Sequence, residues 1–356
     1  MKVTLFFTGR LIYVGKAVAF VISGLLVTFE AVAQVTFTVQ PDTAHQRVAI
    51  KANGQPITAY VYPSSIKKPV LYPLRTPAGT VVTRGFPLDS QPNERVDHPH
   101  HVGLWFNYGD VNGYDFWNNS NAVDPEGKYG TIRHRGITKA TGGKQGELHV
   151  FADWITSDGN QVLEEDTKFV FSAWDDNTYL IDRTTTLTAV NGDVSLSDNK
   201  EGMLGIRVAR ALEHPSDEPS VLIDASGAPA AEATLNNKGV NGRYRSSEGT
   251  EGTDVWGTRA RWMQLSGRVD ELPSSIIILD HPDNVGFPTY WHARGYGLFA
   301  ANPLGQKALS GGKDVLDFML KDGESVTFTY RIALYAGEPL EDQQVEAIYQ
   351  DFSKVE

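Results

Sequence analysis

Apolar residues recur at every second position through much of this chain, and that pattern constrains its fold more than any other feature. Val326, Phe328, Tyr330, Ile332 and Leu334 alternate with Thr327, Thr329, Arg331 and Ala333. Thr167, Phe169, Phe171 and Ala173 repeat the pattern after an acidic turn. Successive side chains of a strand point to opposite faces, so such alternation marks strands with one buried face. Further strand candidates are 35–40, 57–62, 102–108, 148–155, 179–190, 203–210, 258–265, 275–280 and 296–301. Clusters such as Ser157-Asp158-Gly159-Asn160 and Asn191-Gly192-Asp193 separate them. No strand–helix alternation occurs, which argues against a doubly wound α/β fold. Many short strands with such turns indicate an antiparallel sandwich or barrel, and a large all-β sandwich is the expectation. One helix is expected, near the C-terminus. Pro339 opens it, Glu341 and Asp342 form an acidic first turn, and Val345, Ile348, Tyr349 and Phe352 follow helical spacing. Residues 213–253 read as the loosest region, with one short strand near Val221 to Asp224.

The first 33 residues read as a secretion signal. Lys2, Arg10 and Lys16 supply positive charge, Ala17 to Phe29 is apolar, and Ala31-Val32-Ala33 fits the small-x-small cleavage rule. Cleavage before Gln34 leaves 34–356 as a single β-sandwich domain, periplasmic or secreted. The apolar stretch is short for a membrane span, which needs roughly 20 residues. No membrane association is expected after cleavage, with an uncleaved anchor as the alternative. There is no cysteine, so disulfides are excluded and a packed core must hold the domain. The net charge is −11, and the signal segment is itself positive, so the remainder is more acidic still. That opposes nucleic-acid binding, which relies on basic patches, and suits a small-molecule or glycan substrate.

The densest chemical segment is Asp97-His98-Pro99-His100-His101, running into Val102-Gly103-Leu104-Trp105-Phe106. Three of the nine histidines fall within four positions beside a carboxylate. Imidazole is the commonest metal ligand and the side chain best suited to proton transfer near neutral pH. On an extended backbone His98 and His100 share a face, and His101 points away unless Pro99 kinks the strand. His98, His100 and His101 are therefore candidate catalytic residues. With Asp97 they are also candidate ligands of a divalent metal, whose identity the sequence does not choose.

Three further segments could join that site. Thr289 to Gly305 carries His292, Arg294 and Asn302 among aromatic residues, with His281 just upstream. Ring faces beside charged donors suit sugar recognition, because a ring covers the apolar side of a pyranose while Arg, Asn and His bind hydroxyls or a carboxylate. Asp198 to Arg207 offers Glu201 at a strand end and Arg207 within the strand. Asp254 to Trp262 offers Trp256, and it sets Arg259 and Arg261 on one strand face. His281, His292 and Glu201 join the catalytic candidates. Arg207, Trp256, Arg261, Arg294, Asn302 and Trp105 are the candidate substrate-binding residues. There is no Gly-x-Ser-x-Gly elbow, phosphate loop, dinucleotide fingerprint or His-Glu-x-x-His motif.

The histidine block resembles the signature of a bacterial family usually called methane oxygenase PmoA, or PmoA-like. Other blocks match as well, including Thr83-Arg84-Gly85-Phe86-Pro87, Gly109-Asp110-Val111-Asn112-Gly113, Asp115-Phe116-Trp117, Gly205-Ile206-Arg207 and Tyr296-Gly297-Leu298-Phe299-Ala300-Ala301-Asn302-Pro303. The pattern departs at Val102, where the family has Arg. A true particulate methane monooxygenase subunit spans the membrane many times, and no second apolar run of that length follows the signal here. The resemblance implies a secreted β-rich protein associated with polysaccharide and keto-sugar catabolism. By fold analogy it is similar to the supersandwich of aldose epimerases and some polysaccharide lyases.

Three functions remain open on these grounds. The first is a carbohydrate-processing enzyme using its histidines for acid–base chemistry, with or without a metal, in epimerisation, elimination or hydrolysis of a glycoside or sugar acid. The second is a non-catalytic glycan-binding protein. The third is a metal-dependent oxygenase, as the family label suggests. The first predicts that the histidine block and the His292 segment meet in one site.

Overall fold

The structure is a computed structural model that describes residues 35–124 and 126–355. The expected secretion signal lies outside the described residues. Among the described residues no helix is long and apolar enough to cross a membrane.

Two eight-stranded antiparallel sheets make up the domain, with strands numbered along the chain. The first runs in the spatial order Phe37–Asp42 (β1), Arg47–Ala52 (β2), Gln55–Val61 (β3), Val70–Leu71 (β4), Leu104–Tyr108 (β5), Gly202–Arg207 (β11), Leu298–Asn302 (β16) and Tyr290–Arg294 (β15). The second runs Arg243–Ser246 (β12), Trp262–Val269 (β13), Leu272–Asp280 (β14), Ser325–Ala336 (β18), Thr178–Ala189 (β9), Gln161–Asp175 (β8), Gly146–Ile155 (β7) and Thr131–Thr141 (β6). Val194–Leu196 (β10) and Phe318–Leu320 (β17) form a small separate ribbon.

Alternation decides which face of each strand is buried. In β7, Leu148, Val150, Ala152 and Trp154 are buried and their neighbours are not. Cross-sheet aromatic contacts fill the interior: Phe106 of β5 meets Trp154 of β7 at 6.5 Å and Phe328 of β18 at 5.9 Å. A polar cluster lies within this interior. Arg183 of β9 donates to Glu165 of β8 at 2.7 Å, and Trp154 Nε1 donates to the same carboxylate at 2.9 Å. The Arg183 guanidinium lies over the Phe106 and Phe169 rings, at 4.8 and 5.1 Å. The expected C-terminal helix, Asp342–Phe352 (α1), covers the opposite face of the second sheet. Val345, Ile348, Tyr349 and Phe352 pack on Leu180, Trp262, Ile277, Leu279 and Ala333. Glu341 and Gln344 close its start as a capping box.

The chain is thus the large antiparallel sandwich with a C-terminal helix that its alternation predicts. Local expectations fail in several places, and β2 (Arg47–Ala52) is among the strands outside the candidate ranges. Val221 to Asp224 makes only isolated bridges, at Leu222 and Ile223, and the strand of that region is β12. The long edge strand β6 is absent from the candidates because it is polar. Register shifts near Gly136 and between Ile137 and Lys139 also break its period. Charged, bulged edges of this kind discourage pairing with another chain.

The buried Arg183–Glu165 pair gives a stability test. Glu165→Leu strands a cation between the sheets and should cost about 3–5 kcal/mol. Adding Arg183→Met should restore much of that loss. Urea unfolding of both variants measures it, and equal stability of the single variant and the parent would show that the pair carries no such burden.

Candidate functional site

Residues 97–103 form a loop leading into β5 rather than a strand. His98 adopts a left-handed backbone, φ 45°, and the His101 amide donates to the His98 carbonyl at 2.9 Å. This turn overrides the rule that residues two apart share a face. The His98 and His101 rings are parallel within 1° at 4.8 Å, whereas His100 is tilted 75° to both. Pro99 lies in a turn, so the strand kink that the sequence suggested is replaced by a loop.

Two buried guanidiniums build that loop. Arg84 donates to the carbonyls of Arg95, Asp97, His98 and His101 at 2.8–3.1 Å, and to the Asp97 carboxylate at 3.0 Å. Arg207 donates to the same carboxylate oxygen at 2.6 Å. Burial works against ionisation of Asp97, but His98, Arg207 and Arg84 outweigh it and hold the carboxyl well below the usual carboxylate range. The other Asp97 oxygen lies 3.1 Å from His98 Nδ1.

Strand register shows which residues can join this loop. Trp105, Gly205, Ala300 and His292 are direct cross-strand neighbours on β5, β11, β16 and β15. They share one face, and Arg207 and Arg294, two positions further along their strands, share it too. This is the face turned away from Phe106 and the sandwich interior. The Trp105 ring lies on bare backbone, since a Cβ at Gly205 would come within 2.5 Å of it. His101 stacks on Trp105 at 5.1 Å, with Trp117 edge-on at 5.7 Å.

The histidine block and the His292 segment meet on this face. Tyr296, in the turn between β15 and β16, stacks on His98 at 4.9 Å and within 1° of parallel. Arg207 lies 5.1 Å from the Tyr296 ring. Burial pushes the Tyr296 hydroxyl up to about 12. The exposed Arg294 lies 5.5 Å from the Trp256 ring and 6.0 Å from the Tyr296 ring. Trp256 is itself 38% exposed and stands edge-on to His292 at 6.5 Å. His292 Nδ1 pairs with the Lys200 carbonyl at 2.7 Å, which fixes the proton on that nitrogen, and burial pushes the imidazole down to about 4. Glu201 is 3.7 Å from His292 but is also paired with Lys200.

His100 faces another way. Lys68 Nζ donates to the His100 carbonyl at 2.7 Å and lies 5.4 Å from the Trp105 ring. Burial pushes Lys68 down to about 7 and His100 down to about 2. Nε2 of both His100 and His101 is buried without a hydrogen-bond partner among the described residues.

Several candidates sit in other surroundings. His281 packs edge-on to Phe352 at 5.1 Å, and its Nδ1 accepts from the Asp283 amide. Arg261 pairs with Glu346 at 3.0 Å. Both therefore anchor α1. Asn302 bonds the Asn199 carbonyl and the Gly305 amide, stabilising a turn. Trp105 is fully buried and acts as a floor. The expected metal set of His98, His100, His101 and Asp97 is not supported: among the described residues no three His, Cys, Asp or Glu side chains are arranged to hold an ion. His98 and His101 stack face to face with His100 tilted across them, and Asp97 is occupied by arginines. Sequence reasoning missed Arg84, Lys68 and Tyr296 as site residues. Arg84 and Tyr296 sit in motif blocks already singled out, whereas Lys67-Lys68-Pro69 reads as an ordinary solvated pair.

These observations define an antiparallel β-sandwich protein with an aromatic, cation-bearing site on the outer face of its first sheet. The chain belongs to the DUF6807 family, a family of unknown function, whose model matches residues 47–350. No curated protein matches the sequence. Among solved structures, it is similar to a glycoside hydrolase family 97 enzyme from Pseudoalteromonas sp. strain K8, in complexes with acarbose and with panose. The TM-score is 0.29 in both cases, at 10% identity over 87% of this chain. The chain spans 35% of the length of those chains.

The buried imidazoles predict acid sensitivity. A folded value near 4 for His292, below the ordinary 6.5, means that the unfolded chain binds a proton that the folded chain refuses. Its contribution is intact above pH 6.5 and is lost as pH falls toward 4, roughly 2 kcal/mol by pH 5. Urea midpoints at pH 7 and 5 should therefore converge in His292→Gln relative to the parent. An equal loss in both proteins would mean that this imidazole is not held neutral.

Proposed function

We propose that this is a secreted enzyme that removes a proton from a carbohydrate acid, in epimerisation or β-elimination. The observation that carries the reading is the continuous row Trp256–Arg294–Tyr296–His98, backed by the Asp97 carboxylate. Trp256 offers a ring face for the apolar side of a sugar. Arg294 is exposed, and its guanidinium lies against the Trp256 and Tyr296 rings, where it can meet a sugar carboxylate. Half-exposed His98 is the base, with the Asp97 carboxylate 3.1 Å from its Nδ1. Tyr296, protonated at neutral pH, is the neighbouring hydrogen-bond donor. Arg294 balances the charge that develops next to the carboxylate as the proton leaves.

Hydrolysis is less well supported. Two-carboxylate glycosidases need one carboxyl that holds a proton near neutral pH. Asp97 is held ionised by its arginines, and Glu201 is paired with Lys200. A glycan-binding protein is the second reading, favoured by the exposed Trp256 face.

The experiment is incubation with uronate-containing and neutral oligosaccharides, read by mass spectrometry and by ultraviolet absorbance of unsaturated products. Turnover should appear on acidic substrates and fall at least 100-fold in His98→Ala, while Arg294→Ala should mainly raise KM. Saturable binding without product would establish the binding module instead. Unchanged turnover in His98→Ala would remove His98 from the chemistry.

A further inference from the structure

Beside the histidine loop lies a pocket of ≈ 280 Å³, lined by Ile66, Lys68, Val70, Pro99, His100 and Val102 among others. It is separate from the Trp256–Tyr296 row. Lys68 is the unusual wall residue. Only 4% of its surface is exposed, yet no carboxylate lies within ion-pair distance of it among the described residues. Its single hydrogen-bond partner there is the His100 carbonyl, which leaves two of its three ammonium donors unanswered. Buried lysines are ordinarily paired, because an isolated ammonium in an apolar setting is costly. The titratable groups around it do not supply a counter-charge. His100 is held neutral by burial. Asp115, which acts only at a distance, accepts from the Trp117 and Asn118 amides and the Asn118 side chain. Lys67, also on the wall, adds like charge.

We propose that Lys68 is a reactive amine that condenses with a small aldehyde or ketone admitted to this pocket. The Nζ lone pair attacks the carbonyl carbon, and the carbonyl oxygen takes up a proton to give a carbinolamine. Loss of the hydroxyl as water, with the remaining nitrogen proton, leaves an imine. One carbonyl compound enters, one water leaves, and nothing is oxidised or reduced. A desolvated amine in an apolar pocket is the usual setting for such a nucleophile. Burial between the apolar walls favours the neutral amine, and it outweighs the Trp105 face, whose π cloud favours the ammonium. Ser65, Asn119 and Ser120 on the same wall provide polar atoms for hydroxyls on the incoming carbon chain. The inference is independent of the carbohydrate-acid reading, which uses His98 on another part of the face.

The test uses the full mature chain, with glyceraldehyde as the carbonyl probe and cyanoborohydride to trap any imine at pH 7. Peptide mapping then compares Lys68 with the exposed Lys144 and Lys238. The difference in neutral-amine fraction alone is on the order of a thousandfold; restricted access to the pocket lowers that, and Lys68 should still be labelled at least tenfold faster. Lys68→Met, which fills the same space without a charge, should fold, lose this adduct and leave labelling of the exposed lysines unchanged. Labelling of Lys68 at or below the rate of Lys144 and Lys238 would overturn the proposal. The parent protein alone supplies that comparison, so the outcome holds however the variant folds.

Discussion

Two buried guanidiniums closing on one carboxylate set the geometry of everything else at this site. Arg84 and Arg207 both donate to Asp97 Oδ1. Arg84 also collects four backbone carbonyls from the segment 95–101. A planar fork with five donors can satisfy that many acceptors at once, and a lysine cannot. Behind this clamp, Glu213 accepts from Arg95 at 2.7 Å and lies 4.0 Å from Arg207. The clamp therefore belongs to a buried charge network in which each ion has a counter-ion. Removing one partner from such a network typically costs several kcal/mol, because the other is left buried and uncompensated.

The sandwich supplies the rest by parity. Each strand of the first sheet sends one set of side chains inward to Trp154 and Phe328, and the other set outward. Outward positions on a sandwich are ordinarily solvated. Here they hold Trp105, Arg207, His292 and Arg294, roofed by the histidine loop, Trp117 and Tyr296. The small residues Gly205 and Ala300 let the large ones lie flat across the strands. The outer face thus becomes a second packed layer, open at Trp256 and Arg294. One loop divides its histidines between two surroundings: His98 faces the open row and His100 faces the Lys68 pocket.

The fold was legible because its signal is periodic. Val326 to Leu334 and Leu148 to Trp154 declare strands directly, and the C-terminal helix declares its apolar stripe, although it starts at Asp342 with Glu341 as its cap and not at Pro339. β6 was not legible, because a polar, bulged edge strand carries no period. At the site, residue type was informative and partnership was not. His98, His292, Arg294 and Trp256, singled out because aromatic rings beside charged donors are unusual as plain surface, do lie together on one face. His281 and Arg261 carry the same chemistry, but their neighbours are the residues of α1. Nothing within a few positions of either residue reveals that. Lys68 shows the opposite failure: its burial arises from long-range packing against Trp105 and His100, and adjacent Lys67 disguises it. The suggested metal set is not assembled among the described residues: a left-handed residue at His98 turns an expected strand into a loop, in which His98 and His101 stack face to face and His100 lies across them.

The Arg84 side of the clamp is the main support of the histidine loop, beyond the contacts that His101 and Gly103 make with the sheet beneath it. Hydrogen exchange of Arg84→Lys against the parent separates these two supports. The variant keeps the charge but cannot reach four carbonyls together. If the clamp is the support, amides of residues 97–103, His101 foremost, exchange at least tenfold faster, while those of Leu104–Tyr108 and Gly202–Arg207 keep their protection. Unchanged protection of the loop, or an equal loss of protection across both strands, would contradict it.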